Sequence, residues 1–220
     1  MSKIIAIMLL LCCGMMLFGC ADDNGRRKAE QQKTIVVTDS VGRKVELPYP
    51  LERVAVCNVY NAELITAVGA IDKIVGVDNY IFKDQSGFKN RFNEAQVFGI
   101  SQNAMNYEKL AELAPQAVII TGEGTWRDAQ EMLDRFGIKV IGVNSYYTDQ
   151  FADNCRLVGR IFGREEQAEE LVRYFTDKLA YIQSQLKDVP RKSLYFEYRT
   201  LGKTAVPGDY FYKMVEYSGA

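Results

Sequence analysis

The residue types that most often carry out catalysis are sparse in this chain. Its 220 residues include no histidine, which excludes Ser-His-Asp and Cys-His catalysis and removes the commonest general acid and base. Metal sites built from imidazoles are excluded for the same reason. The acidic pairs Asp149 with Asp153 and Glu165 with Glu166 are interpreted as acids near helix N-termini. The sequence therefore gives no support for acid–base or nucleophilic chemistry.

One glycine-rich segment invites comparison with phosphate-binding loops. Gly122-Glu123-Gly124-Thr125-Trp126-Arg127 follows a buried apolar run and begins like the G-x-G-x-x-G loop that binds dinucleotides. Arg127 stands where the third glycine would be, so the match is incomplete. A Rossmann-type enzyme at the cell surface stays open as the weaker alternative.

The N-terminus carries a cysteine in an informative context. Lys3 precedes an apolar run, Ile4–Phe18, which is typical of a secretory signal and too short for a good membrane span. Leu17-Phe18-Gly19-Cys20 resembles the lipobox of bacterial lipoprotein signals, although Phe18 is bulkier than the residue usual there. The resemblance implies a signal peptide over residues 1–19, lipidation of Cys20, and attachment of the mature chain to a membrane of the cell envelope. An ordinary secretory signal and a short anchor are the alternatives.

Composition indicates a globular protein after this leader. Hydrophobic residues make up 48% and charged residues 25%, and the net charge of −1 gives no basic excess that would indicate nucleic-acid binding. Residues 20–33 are polar and are interpreted as a flexible tether. Cys57 and Cys155 are expected to be buried free thiols, with a disulfide between them as the alternative.

The pattern between residues 34 and 148 predicts one α/β lobe. Two short strands around Ser40-Val41-Gly42 form a hairpin signal, and apolar runs then alternate with amphipathic helices. Strands that are apolar on both faces indicate a parallel sheet covered by helices on both sides. The expected strands are Val54–Cys57, Ile74–Val77, Gln96–Phe98, Ala117–Thr121 and Lys139–Val143. The expected helices begin at Asn61 and cover Tyr107–Leu113 and Arg127–Phe136.

A helical segment, residues 149–190, comes next and contains a long continuous helix. Residues 164–188 have no glycine or proline, and their apolar residues recur at helical spacing. We interpret this helix as a rigid connection to a further lobe, with a packing or coiled-coil helix as the alternative. Residues 191–220 then predict a strand, Leu194–Tyr198, and a helix, Asp209–Ser218.

The order of these elements resembles a known family. Thr34–Asp78 (TIVVTDSVGRKVELPYPLERVAVCNVYNAELITAVGAIDKIVGVD), Asn106–Thr121 (NYEKLAELAPQAVIIT) and Thr204–Ala220 (TAVPGDYFYKMVEYSGA) are similar to successive blocks of iron-siderophore, haem and vitamin B12 substrate-binding proteins of ABC importers. The resemblance implies two α/β lobes joined by one long helix, with a metal chelate held between them. It also implies docking on a permease dimer, no catalysis, no resident cofactor and no metal site of the protein's own.

Candidate ligand-binding residues follow from this resemblance and from their positions after the strands. Loops at the carboxyl ends of parallel strands line the crevice of open α/β sheets, and aromatic rings there suit a chelate or a corrin ring. Arg199 could pair with an acidic group of the ligand. The expected ligand-binding residues are Asn58, Tyr60, Asn61, Tyr80, Trp126, Tyr146, Tyr147, Tyr198 and Arg199. Glu108 matches the family's glutamate that meets an arginine pocket on the permease; the alternative is a solvated helix acid.

The second lobe of that family is a full α/β domain, whereas residues 191–220 predict only its beginning. We therefore expect the second lobe to be incomplete. This leaves a further alternative, a truncated envelope lipoprotein fragment that binds nothing.

Overall fold

The computed structural model describes residues 33–198 and 200–219. The predicted signal peptide, nearly all of the predicted tether, and the predicted site residues Cys20 and Arg199 lie outside these residues. Within the described ranges, none of the helices is both long enough and apolar enough to cross a membrane.

The chain opens with the predicted hairpin. Strands β1 (Thr34–Thr38) and β2 (Lys44–Pro48) pair antiparallel, with Thr38 opposite Lys44 next to the turn. Gly42 supplies the left-handed backbone conformation that this turn requires, with φ of 81°. Alternate residues Val37, Val45 and Leu47 are buried, so one face of the hairpin packs on the rest of the molecule.

Four strands form the predicted parallel sheet: β3 (Val54–Val56), β4 (Ile74–Val77), β5 (Ala117–Ile120) and β6 (Lys139–Gly142). Their spatial order is β4-β3-β5-β6, and every neighbouring pair is parallel. The expectation of a strand at Gln96–Phe98 is wrong. Asn93 and Gln96 form a capping box that closes Glu94–Gln96 into a 3₁₀ turn, which leaves only a single bridge between Val97 and Val77.

Helices cover both faces of the sheet, as predicted. Val54, Val56 and Ile119 belong to one buried cluster, while Ala55 and Val118 belong to a second cluster on the opposite face. The seven helices among the described residues are α1 (Val59–Ala67), α2 (Asn79–Lys83), α3 (Tyr107–Leu113), α4 (Trp126–Asp134), α5 (Phe151–Phe162), α6 (Glu165–Leu186) and α7 (Tyr210–Tyr217).

The two cysteines lie in different clusters. Cys57 packs with the cluster that contains Val118, whereas Cys155 packs with the cluster that contains Ile119, and both thiols are free and buried. The alternative of a Cys57–Cys155 disulfide is therefore wrong. Burial raises the pKa of both thiols, that of Cys155 to about 12.

The long connecting helix is anchored at its first turns. A Cβ on Gly159 of α5 would overlap the side chain of Ala168, so glycine allows α5 and α6 to approach closely. Val172 is buried one turn further along, and the ring of Phe175 lies 4.3 Å from that of Phe151. No described residue of α6 beyond Val172 is buried.

The chain after α6 has a different character. We call residues 34–162 the sheet region and residues 187–219 the C-terminal segment. The predicted strand Leu194–Tyr198 is wrong, because its only ladder contact in the described residues is one bridge between Glu197 and Thr204. The predicted helix is confirmed as α7, where the Asp209 carboxylate accepts a hydrogen bond from the Tyr212 N–H at 2.7 Å.

Candidate functional site

The carboxyl ends of β3, β4 and β5 open into a cleft of about 590 Å³. This volume lies within the range of small-molecule sites. Three of the predicted ligand-binding residues, Asn58, Tyr60 and Tyr80, line it. The other lining residues are Cys57, Val59, Glu63, Asp78, Asp84, Ser86, Ser101, Gln102, Asn103 and Thr121.

A strained residue directs the chain from β3 into α1. Asn58 has φ of 78°, in the left-handed region that few residues other than glycine adopt. Its Oδ1 accepts a hydrogen bond from the Tyr60 N–H at 2.9 Å, and so Asn58 caps the helix. The helix therefore begins earlier than predicted, with Asn58 rather than Asn61 as the cap. Tyr60 in the first turn is 53% exposed and offers its ring to the cleft.

Asp78 has the corresponding position after β4. Its buried carboxylate accepts hydrogen bonds from the Ile81 N–H at 3.0 Å and from the Asn58 N–H at 2.9 Å. Burial raises the pKa of Asp78, and the backbone N–H groups of Ile81, Asn58 and Tyr80 oppose that rise. The carboxylate thus joins the ends of two strands and places Tyr80, which is 61% exposed, on the cleft wall.

The loop at residues 99–105 forms a further wall. The Gln102 Oε1 accepts hydrogen bonds from the N–H and the hydroxyl of Thr121, at 2.9 and 2.8 Å, at the end of β5. A Cβ on Gly99 would overlap the Ala104 carbonyl, so glycine is required for the return of this loop. Gln102 therefore fixes Ser101 and Asn103 beside the cleft.

The Asn61 side chain is buried and forms hydrogen bonds within the protein. It is 1% exposed, its Nδ2 donates to the Cys57 carbonyl at 3.2 Å, and its Oδ1 accepts from the Ser145 hydroxyl at 2.6 Å. These bonds tie α1 to the loop after β6. Asn61 is not among the residues that line the cleft.

Tyr146 and Tyr147 lie in an aromatic cluster beside the cleft. The Tyr146 ring lies 6.2 Å from that of Tyr60 and 4.8 Å from that of Tyr147. The Tyr147 hydroxyl donates to Glu123 at 3.0 Å. Burial and the Glu123 carboxylate raise the pKa of both phenols, that of Tyr146 far above its ordinary value.

The aromatic cluster continues into the C-terminal segment. The Tyr210 ring lies 5.4 Å from that of Tyr146 and 3.9 Å from that of Phe211. The ring of Tyr198 lies 4.9 Å from that of Phe211. Tyr198 is thus part of a chain of ring contacts that runs through Phe211 and Tyr210 to Tyr146.

Trp126 is placed elsewhere. The Arg43 guanidinium lies 4.0 Å from its ring centroid and that of Arg127 lies 4.4 Å away, so the indole is held by cation–π contacts. Trp126 does not line the cleft.

Packing explains the glycine at position 122, in the glycine-rich segment before α4. A Cβ on Gly122 would overlap Val41 of the hairpin turn.

Arg43 is positioned by a buried acid. The Asp39 carboxylate accepts hydrogen bonds from Arg43 Nε at 3.0 Å and Nη2 at 2.6 Å, and from the Gly142 N–H at 3.1 Å. The Asp39 side chain has no exposed surface. This ion pair joins the hairpin turn to the end of β6.

Glu108 is exposed in the first turn of α3, which the Asn106 side chain caps by accepting a hydrogen bond from the Lys109 N–H at 2.9 Å.

Two acidic residues that line the cleft, Glu63 and Asp84, were not predicted from the sequence. For Glu63, the position one turn into the helix that follows β3 was a usable signal. Among the described residues, no group of three or more cysteines and acids could hold a metal ion.

Comparison with known proteins assigns this geometry to a family. The family described as periplasmic binding protein matches residues 54–213. A periplasmic solute-binding protein from Veillonella parvula is 26% identical with a TM-score of 0.61, over 73% of this chain and 50% of that one. The molybdate-binding protein MolA of Haemophilus influenzae, solved with molybdate, is 23% identical with a TM-score of 0.71, over 84% of this chain and 64% of that one.

Staphylococcus aureus SirA, solved with staphyloferrin B, is 20% identical with a TM-score of 0.57, over 70% of this chain and 51% of that one. This chain thus spans about half to two thirds of the length of these proteins. The likeness to MolA and SirA supports the fold, and the family match covers all four strands of the parallel sheet and all of α6. The resemblance recognised in the sequence is confirmed: the chain belongs to the periplasmic binding protein family, whose members bind substrates rather than act as enzymes.

Proposed function

We propose that this chain is the ligand-binding part of a substrate-binding protein of an ABC importer. It captures a metal chelate, such as an iron-siderophore, haem or cobalamin, and delivers it to a permease dimer. The chelate is cargo, and the function requires no resident cofactor. MolA was solved with molybdate and SirA with staphyloferrin B, so similarity alone does not identify the ligand. The ligand must therefore be inferred from the residues of this cleft.

The position of the cleft in the sheet supports this proposal. The chain enters the sheet at β3, adds β4 on one side and then crosses to β5 on the other side. Loops that leave adjacent strands in opposite directions open a crevice at the carboxyl ends, which is where open α/β sheets bind ligands. The cleft lies at this switch point, since residues that follow β3, β4 and β5 line it.

Substitution at Tyr60 provides the test. Purified chain should bind at least one of an iron(III) siderophore, haemin and cyanocobalamin in isothermal titration calorimetry. Tyr60→Ala should weaken that binding about tenfold, because the ring is exposed to the cleft. Tyr181→Ala removes a similarly exposed ring from α6 and serves as the control. Absence of binding to the whole panel would refute the proposal and favour the non-binding alternative.

Delivery to the permease is assigned to Glu108. Its carboxylate is exposed and would form a charge-assisted pair with a permease arginine. Glu108→Ala should reduce chelate uptake by cells and spare chelate affinity. An equal loss of uptake and affinity would contradict a docking role.

An extracytoplasmic location with a lipid anchor at Cys20 completes the proposal. The lipobox resemblance of Leu17-Phe18-Gly19-Cys20 supports it. Cys20→Ser should move the protein from the membrane fraction to the soluble fraction. Unchanged fractionation would contradict anchoring through this cysteine.

A further inference from the structure

The charged residues that line the cleft are all acidic. The described residues that line it include the carboxylates of Glu63, Asp78 and Asp84 and no lysine or arginine. Asp84 and Glu63 make no ion pair within the described residues, so the charge is not neutralised by the protein around it. An anionic ligand would meet repulsion on this wall.

The three acids differ in what they already bind. Asp78 caps α2, as described above. Asp84 accepts hydrogen bonds from the Gly87 N–H at 2.6 Å and from the Ser86 hydroxyl at 2.8 Å. Glu63 makes no hydrogen bond with the described residues, and it is exposed on α1. Glu63 is therefore the acid whose oxygens are available to a ligand.

A cation beside Glu63 would stabilise its ionised carboxylate. Burial against the cleft and the nearby Asp84 carboxylate raise the pKa of Glu63, so its ionised form is disfavoured where it stands. A positive group between Glu63 and Asp84 would oppose both effects.

The aromatic residues of the cleft favour the same kind of group. Tyr60 is 53% and Tyr80 61% exposed, and both line the cleft together with the acids. Exposed aromatic faces attract ammonium groups through the ring quadrupole. Two independent features, the Glu63 carboxylate without an ion pair among the described residues and the exposed rings of Tyr60 and Tyr80, thus both favour a ligand that carries a positive charge.

We infer that the cleft takes a chelate that carries a cationic group, such as a protonated amine, and that Glu63 pairs with it. This inference rests on the proposed function, because the site is the same cleft. It narrows the ligand from any metal chelate to cationic ones, in contrast to chelates whose free groups are carboxylates.

A matched set of chelates tests the inference. Ferrioxamine B is an iron(III) trihydroxamate with a free ammonium arm; acetylation of that amine makes it neutral, and succinylation makes it anionic. In isothermal titration calorimetry with the full chain, affinity should fall from the cationic to the neutral to the anionic form. The first step should be about tenfold, the combined size of a partly exposed ion pair and a cation–π contact.

Glu63→Gln isolates the contribution of the acid. It should reduce the ratio of the cationic to the neutral affinity about threefold, while affinity for the neutral form stays within about twofold. Glu170→Gln removes the same charge from an exposed position on α6, outside the cleft, and should leave the ratio unchanged. Equal or tighter binding of the neutral or anionic form, or an unchanged ratio in Glu63→Gln, would overturn the inference.

The two proposals fail in distinguishable ways. If none of the three hydroxamates binds but haemin or cyanocobalamin does, the cationic preference is overturned and the substrate-binding function stands. If nothing in either panel binds, both are overturned.

Discussion

The sheet region and the C-terminal segment both contain apolar and aromatic runs, but they bury them to different degrees. All four residues of β5 are buried, with β3 on one side and β6 on the other. No described residue of the C-terminal segment is buried, and Leu194 and Tyr195 are 58% and 70% exposed.

The difference shows that an apolar run becomes a strand only where neighbours complete its ladder. Ala117–Ile120 and Leu194–Tyr198 are both short runs rich in apolar or aromatic residues and bounded by polar ones, although the second includes Glu197. Only the first run has paired strands on both sides. Among the described residues, the second has a single bridge, from Glu197 to Thr204, and its leading side chains Leu194 and Tyr195 remain exposed.

The largest effect should come from the buried ion pair of the sheet region. Asp39→Ala leaves the Arg43 guanidinium and the Gly142 N–H without their partner. It should lower the free energy of unfolding by about 3–5 kcal/mol in urea titrations. Asp72→Ala removes an exposed acid and is the control, with an expected change within about 0.5 kcal/mol. A loss below about 1 kcal/mol for Asp39→Ala would show that the hairpin does not depend on this pair.

The contrast between the two regions is tested directly by a pair of aliphatic truncations. Ile119→Ala in β5 should cost about 2–4 kcal/mol of unfolding free energy, because the side chain is fully buried. Leu194→Ala should cost less than about 0.5 kcal/mol, because the side chain is already exposed. Similar costs at the two positions would mean that the C-terminal segment is packed more tightly in solution.

A smaller effect is expected where the two regions meet. Tyr210→Ala removes the ring contact with Tyr146 and should cost about 1 kcal/mol. Amides of residues 205–218 should then exchange hydrogen faster, while those of β5 stay protected. Tyr174→Ala, at an exposed position on α6, is the control. Unchanged hydrogen exchange at residues 205–218 in Tyr210→Ala would show that this ring does not hold the C-terminal segment to the sheet region.

The smallest effect at neutral pH concerns the buried thiols. The folded state raises the pKa of Cys155 to about 12, above the value of about 9 expected for the unfolded chain, so folding favours the protonated thiol. This contribution is complete below pH 9 and is lost as the pH rises towards 12. Urea titrations from pH 8 to 11 should therefore show a steeper decline for the wild type than for Cys155→Ala. Parallel declines would show that Cys155 is not buried in solution.

Much of the sheet region could be predicted from the sequence because its signals are local. In the sheet region, the predicted bounds of Ile74–Val77 and Tyr107–Leu113 are those observed, and in the C-terminal segment α7 was predicted to within one residue at each end. Apolar runs, capping residues and glycines act over a few positions, so they can be recognised without tertiary contacts.

The candidate site could be predicted only in part because side-chain direction depends on distant residues. Asn61 looked like a helix cap, but Asn58 takes that role in a left-handed conformation that sequence pattern does not indicate. Trp126 follows a strand as a cleft residue should, yet Arg43 from the hairpin holds its ring. The ligand-binding roles of Tyr146, Tyr147 and Tyr198, which lie beside the cleft or beyond it, stay predictions.

The anchoring of α6 at one end has a mechanical consequence. Its last buried residue is Val172, and the helix continues for about 21 Å to Leu186 at 1.5 Å per residue. If α6 tilted as a rigid rod, the close approach of Gly159 and Ala168 would be its pivot. A tilt of only about 5° at this pivot would carry the far end of the helix through about 2 Å, by the same helix geometry. A small change in packing between two helices is thus magnified at the point where the chain leaves α6.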